Sequence, residues 1–315
     1  MANHYKILYL LFISFFILAG CKGDSKGLQR LDVVSPTIVS FPVIHDSDDP
    51  AIWIHPIDPA KSLVLGTDKD RQGGLVVYDL DGKVVKMVLE IQRPNNVDIE
   101  YNLVLKGEKV DIAVVTERIK NRIRIFKLPE MIPVDNGGIE VFEGEQERDP
   151  MGISLYRKRP TGEIYAIVGR KTGPTDGSYL WQYLLEDDGG GAVKATLVRK
   201  FGTFSGKKEI EAIAVDDALG YVYYSDEGVG VRKYYADPDH SEANKQLAIF
   251  GTKDFIQDHE GIAIYEVYDG TGYILVSDQQ GNRFQVFKRE GEKNNPHDHQ
   301  VVCVVDIEAT ECDGC

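Results

Sequence analysis

Residues Glu209–Gly228 read EIEAIAVDDALGYVYYSDEG. Two runs of alternating apolar residues flank a DDALG turn, the pattern of paired β-strands with a buried face. Glu211 stands directly before the first run, and Asp226 and Glu227 stand directly after the second. Glutamate is a poor turn former, so turn chemistry does not account for Glu211. A carboxylate at the entry of a buried strand needs a cation or a set of hydrogen-bond donors.

The phrase recurs through the chain. It begins again with DDPAIWIHP at Asp48, NNVDIEY at Asn95, MGISLY at Met151 and HEGIAIY at His259. Each unit has a polar start, an alternating strand, a turn rich in Gly, Asp or Pro, and a stronger apolar strand. A short polar loop and a third strand follow, and segments such as KVVKMVLEIQ and VKATLVRKFGTF supply a fourth. With Asp49, Asn96, Met151, Glu211 and Glu260 aligned, the units are 47, 55, 60 and 49 residues apart. Four strands at this period indicate a β-propeller rather than a solenoid. Asp313, in the final CDGC, lies 53 residues after Glu260 and reads as the start of a further unit. The expected fold is all-β, a six-bladed β-propeller whose sixth blade is incomplete in this chain.

A propeller turns repeat position into proximity, because the first strands line one channel and the loops beside them form one mouth. The strand entries then bring together Asp48, Asp49, Asn96, Asp98, Met151, Glu211, Asp258, Glu260 and Asp313. The loop after the second strand contributes Lys69, Arg118, Arg170 with Lys171, Asp226 with Glu227, and Asp278 with Gln279. Early units give cations, and later ones give carboxylates and an amide. Gathered carboxylates repel unless a hard cation lies among them, and Ca²⁺ takes six to eight oxygens in flexible geometry. With only seven histidines in the chain, zinc or copper is a poor match. Lysine and the arginine fork opposite such a cluster suit phosphate groups. The combination points to a polyanionic phosphate ester. Asp81, Asp216, Asp217 and Asp269 read instead as ordinary hairpin turns.

The formal net charge of −14 excludes the basic stripe of a nucleic-acid surface. The first residues contain Lys6, an apolar run too short for a comfortable membrane span, and Leu18-Ala19-Gly20-Cys21, which resembles a bacterial lipobox. The division expected is 1–20 a lipoprotein signal peptide, 21–40 a tether lipidated at Cys21, and 41–315 the propeller domain. An ordinary signal peptide that happens to contain a cysteine is the alternative. Lys22 after the lipid cysteine suits the outer membrane or cell surface of a bacterial envelope, so the lipid is the expected membrane contact. Cys303, Cys312 and Cys315 fall within the last thirteen residues, which is not a disulfide framework. The lone CxxC lacks the second pair a zinc site needs.

Taken in order, DDPAIWIHP, NNVDIEY, KVDIAVVTER, GISLY, IEAIAVDD, YYSDEG, DHEGIAIY, VSDQQGN and CDGC resemble the signatures of the β-propeller phytases, also called alkaline or Bacillus-type 3-phytases. The resemblance runs from about Asp46 to the last residue. It implies a calcium-dependent phosphatase, expected to be monomeric, that acts on phytate or its calcium complex with a calcium-bound water as nucleophile. It implies that Glu211, Glu227, Asp258, Glu260, Gln279 and Asp313 surround several calcium ions. Lys69, Arg118 and Lys171 would clamp the phosphate being cleaved, with Asp48 beside them. Asp49, Asn96 and the Val97 carbonyl match a structural calcium position, and Arg170 or Arg71 a neighbouring phosphate site. Met151 stands where Bacillus members carry a tyrosine, and Asp70 where a second lysine often stands. The family's domain continues past the position of Cys315, so a fragment, a frameshifted gene or a propeller left open is expected. Two other readings are a non-catalytic surface propeller and a calcium-dependent propeller lactonase or phosphodiesterase. The first calls for aromatic patches at the mouth, and the second for fewer cations than Lys69, Arg118, Arg170 and Lys171 supply.

Overall fold

The alternating apolar segments become strands throughout. In a computed structural model, which describes residues 29–268 and 270–314, the regular elements are strands and three single-turn 3-10 helices. The strands form five antiparallel sheets in chain order. The first is Ser47–Trp53, Leu63–Asp68, Gly74–Tyr78 and Val84–Leu89. The second is Pro94–Leu105, Glu108–Glu117 and Arg122–Leu128, edged by the short Ile139–Glu140 and Ile132–Pro133. The third is Pro150–Arg157, Ile164–Arg170, Leu180–Asp187 and Val193–Phe201; the fourth is Ile213–Asp216, Tyr221–Asp226, Gly230–Tyr235 and Ala248–Phe250. The fifth is His259–Tyr268, Thr271–Asp278, Arg283–Lys288 and Val301–Ile307.

Each sheet is a blade, and the blades are held by the apolar faces they press together. Leu65 and Leu75 pack with Val97 and Val115 between the first and second blades. Ile112 and Ile125 pack with Ile153 and Val168 between the second and third. Ile167 and Leu180 meet Ile213 and Tyr224 between the third and fourth, and Tyr223 meets Ile274 and Phe287 between the fourth and fifth. First strands from all five blades line a central channel that includes Asp49, Asn96, Asp98, Ser154, Ala212 and Gly261.

The propeller therefore has five blades, not the six expected from the sequence, and no partial sixth sheet is present among the described residues. Val301–Ile307 completes the fifth blade. Residues 308–314 form no strand; instead they join the fifth blade to the first. Gly261 donates its N–H to the Asp313 carbonyl (2.6 Å), Ser277 Oγ donates to the Cys312 carbonyl (2.6 Å), and Gly314 lies against Pro50. Asp313 is thus a bridge residue rather than the opening of a new blade. A second difference lies at the other end. Gln29–Val34, read from sequence as tether, runs parallel to Val301–Ile307 as an outer strand, with Arg30 paired to Asp306 at 2.7 Å. Residues 1–28, with the leader and Cys21, lie outside the described residues, as does Asp269. Among the described residues no helix is long and apolar enough to cross a membrane.

Two aspartates read as turn residues have further roles. Asp216 accepts two hydrogen bonds from the buried Arg289, at 2.6 and 2.7 Å, and so ties the fourth blade to the fifth. Asp217 accepts the Arg157 N–H at 2.9 Å and faces Glu100 of the second blade. Burial, and next the charge of Asp217, push the Glu100 carboxyl up to about 8. An acid held neutral by the fold stabilises it most below the ordinary carboxylate range, and that contribution is lost as pH rises through the raised value. In EDTA, Glu100→Gln is expected to flatten the fall of Tm between pH 5 and pH 8 relative to the parent. Parallel pH profiles for the two proteins would refute the assignment.

Candidate active site

One buried charge per blade sets the mouth. Asp68, Glu117, Asp226 and Asp278 end the second strands of blades one, two, four and five, and all are buried. Each accepts a backbone N–H from the segment entering its own blade: Asp46 to Asp68 (2.8 Å), Gln92 to Glu117 (3.0 Å), Ser205 to Asp226 (3.0 Å) and Ile256 to Asp278 (3.0 Å). A basic side chain completes each clamp, an arginine of the third strand in three blades and, in the first, the His45 ring from the entering segment itself. His45 serves Asp68 at 2.8 Å, Arg122 serves Glu117 at 2.5 Å, Arg232 serves Asp226 at 2.8 Å and Arg283 serves Asp278 at 2.7 Å. In blade three the polarity is reversed. Arg170 holds the Glu147 carbonyl at 3.1 Å and the Glu145 carboxylate at 3.4 Å, with its guanidinium 4.6 Å from the Phe142 ring centre. Removing one member of a buried pair leaves an uncompensated charge, at a cost of about 3–5 kcal/mol. Arg283→Met should lower stability by that order in denaturant unfolding, and a loss under 1 kcal/mol would show that the clamp is not structural.

The residue after each clamp faces the mouth. Its N–H donates to a carbonyl of the entering loop in all five blades: Lys69 to Asp46 (2.7 Å), Arg118 to Arg93 (3.2 Å), Lys171 to Asp149 (2.8 Å), Glu227 to Glu209 (3.2 Å) and Gln279 to Asp258 (3.4 Å). Two residues beyond each acceptor lie Asp48, Asn95, Met151, Glu211 and Glu260. These are the true repeat equivalents, so the sequence alignment on Asp49 and Asn96 is one residue late in the first two blades. Regular pairing of the first strand runs from two residues after each of these equivalents, at Pro50, Val97, Ile153, Ile213 and Ile262.

The five mouths bring most of the predicted residues together. Glu211, Glu227 and Glu260 present carboxylate oxygens within 4.8 Å of one another. Gly152 lets the third blade lie against the backbone of Glu211, since a Cβ there would lie 2.0 Å from the Glu211 carbonyl oxygen. Lys69 pairs with Asp48 and lies 3.9 Å from Glu211 Oε1. Lys171 pairs with Glu209 at 2.9 Å. Gln279 donates to Asp313, and Gln280 links Gln279 Oε1 to Asp258. Asp49 accepts the Val97 N–H at 3.0 Å and lines the channel with Asn96. Met151 is buried, its carbonyl accepting from Thr116 Oγ1 at 2.9 Å.

Other predicted residues lie elsewhere. Arg170, Asp226 and Asp278 belong to the clamps. Asp98 accepts from Ser154 Oγ and the Leu155 N–H, both at 2.8 Å, along the channel. Arg71 is exposed in a groove of about 550 Å³ with Gln72, Gln92 and Lys120. Asn95, Glu209, Lys208 (paired to Asp258) and Gln280 were missed.

The electrostatics are those of an acid cluster short of positive charge. Burial, and next Glu211, push Glu227 up to about 8. Burial, and next Glu227 and Glu211, push Glu260 up to about 10. Asp48 rises to about 8 for the same two causes, burial and Glu211, despite Lys69. Asp313 is raised by burial. Burial lowers Arg118, helped by Arg93. Burial would lower Lys69 too, but Asp48 and Glu211 outweigh it. Glu227 Oε1 is buried without a hydrogen-bond partner. That orphaned oxygen, within an all-oxygen donor set, fits a hard divalent cation.

Residues 27–315 match a family model described as Phytase. The chain belongs to the phytase family. It is similar to the 3-phytase of Bacillus subtilis (strain 168), 34% identical over 255 residues that make up 78% of this chain and 63% of that protein. It thus spans under two thirds of that relative's length. Among solved structures, a chain of Kuenenia stuttgartiensis hydrazine synthase superposes with a TM-score of 0.52, covering 84% of this chain and 76% of that one at 11% identity, a likeness of fold. The Dos1 propeller gives a TM-score of 0.43 over 76% of this chain and 55% of that one at 12% identity.

Proposed function

We propose that this phytase-family chain hydrolyses phosphomonoesters of phytate, releasing inorganic phosphate and lower inositol phosphates, with several calcium ions as cofactor. One pair of observations carries the reading. On the acidic wall Glu227 Oε1 is buried without a hydrogen-bond partner, and on the basic wall Arg118 Nε is buried without one. The first calls for a cation and the second for an anion. Calcium held at the first and a phosphate group gripped at the second would satisfy both.

In this reading Glu211, Glu227, Glu260, Asp258, Gln279 and Asp313 hold calcium at the mouth. Asp49, Asn96 and the Val97 carbonyl hold a structural ion. Bound calcium would supply charge neutralisation of the phosphoryl group and a water of lowered pKa. Lys69, kept extended by Asp48, and Arg118 grip the phosphoryl oxygens and stabilise charge that grows on them during displacement. Lys171 adds a third cation, and the exposed Arg71 can meet a further phosphate of the same substrate. Arg170 is left out, because its guanidinium is engaged in the blade-three clamp. The relative named a 3-phytase supports the substrate class.

The test is phosphate release from phytate by the full chain. EDTA should abolish it and added Ca²⁺ restore it. Glu211→Ala and Glu260→Ala should each lower turnover at least about tenfold without lowering Tm in EDTA, since each removes charge repulsion. Full activity in both variants, or activity indifferent to EDTA, would sink the reading. The leader supports export and lipid attachment at Cys21, with envelope anchoring. Cys21→Ala should abolish incorporation of labelled palmitate in a bacterial host, and labelling that persists would place the lipid elsewhere or nowhere.

A further inference from the structure

Asn95 hydrogen-bonds Arg118 on the basic wall and Glu211 on the acidic wall. It is fully buried. Its Oδ1 accepts from Arg118 Nη2. Its Nδ2 donates to Glu211 Oε1, to Asp48 Oδ2 at 3.0 Å and to Asn96 Oδ1 at 3.2 Å. The amide can point only one way. Turned over, it would set its NH₂ against a guanidinium, which has no acceptor, and its oxygen against two carboxylates.

The residue type follows from the same contacts. At the equivalent position three blades use an acid: Asp48, Glu211 and Glu260. An acid at 95 would also satisfy Arg118, but it would repel Asp48 and Glu211 where Asn95 now donates to them. An apolar residue would leave Arg118 Nη2 without this acceptor while its Nε already lacks one. A neutral group with a donor face and an acceptor face meets both demands in one short side chain.

We propose that Asn95 is a positioning residue that fixes the basic wall relative to the acidic wall, so that one phosphate can be gripped by Arg118 while its oxygens meet cations held by Glu211. It acts through Arg118, Asp48 and Glu211 and touches no reacting atom. The inference rests on the calcium and phosphate reading given above.

The experiment measures calcium binding by titration calorimetry, and then binding of inorganic phosphate at saturating calcium. The proteins are the full chain, Asn95→Leu and Asn95→Asp, each with its Tm. Asn95→Leu keeps the branching at Cγ and removes every side-chain bond, so both affinities should fall about tenfold or more at near-parental Tm. Asn95→Asp keeps the acceptor for Arg118 but places a charge beside it. Phosphate affinity should then fall about tenfold or more, while calcium affinity stays within about threefold of the parent because an oxygen ligand has been added. A well-folded Asn95→Leu that loses only one of the two affinities, or neither, overturns the proposal. If that variant does not fold, Asn95→Asp decides, and unchanged phosphate binding overturns it. A parent chain that takes up no calcium overturns the functional reading itself, which separates the two failures.

Discussion

The buried charge at the end of each second strand is the constraint on which the mouth depends. Water is excluded there, so each charge must find its partners within the blade. Four blades solve this with an acid facing Arg or His, and the third solves it with Arg170 facing Glu145 and a carbonyl. Either sign gives the same result: the segment entering the blade is tied to the turn leaving its second strand. With that tie made, the next residue always anchors its N–H to the entering loop. Its side chain is left to vary among Lys, Arg, Lys, Glu and Gln.

That division separates scaffold from chemistry. The clamps and the interblade apolar layers fix five equivalent positions, and the residue types placed on them make two opposed walls. Neither wall suits itself. Burial and Glu211 raise the proton affinity of Glu227, burial with Glu227 and Glu211 raises that of Glu260, and Arg118 is buried next to Arg93. Interior charges left in this state are destabilising, which is the usual condition of a site built to bind rather than to hold the fold. Gly152 and the neutral Asn95 are where the two requirements meet, one by giving up a side chain and the other by facing both signs.

The joint between the fifth and first blades differs from the other four. Where those press apolar sheets together, this one uses the backbone of residues 308–314, with Asp313 brought into contact with Gln279 by the same segment. The strand Gln29–Val34 covers the outer edge of the last blade, so residues distant in sequence complete one sheet.

The sequence by itself determined the strands, the propeller class, the segregation of cations from acids and the oxygen-rich character of the cluster. These follow from local alternation and from a repeat that any window of the chain displays. Tertiary structure alone decided the rest. Blade number depends on what residues 308–314 pack against, and a Cys-Asp-Gly motif cannot say whether it opens a strand or bridges two. Asp48 and Asn95 each stand beside a second oxygen-bearing residue, Asp49 and Asn96, and only the N–H anchors of the neighbouring loop decide which of the two is the repeat equivalent. Arg170 and Lys171 are adjacent and chemically alike on paper, yet successive residues leave a strand on opposite sides, so one is sealed into a clamp and the other faces the mouth.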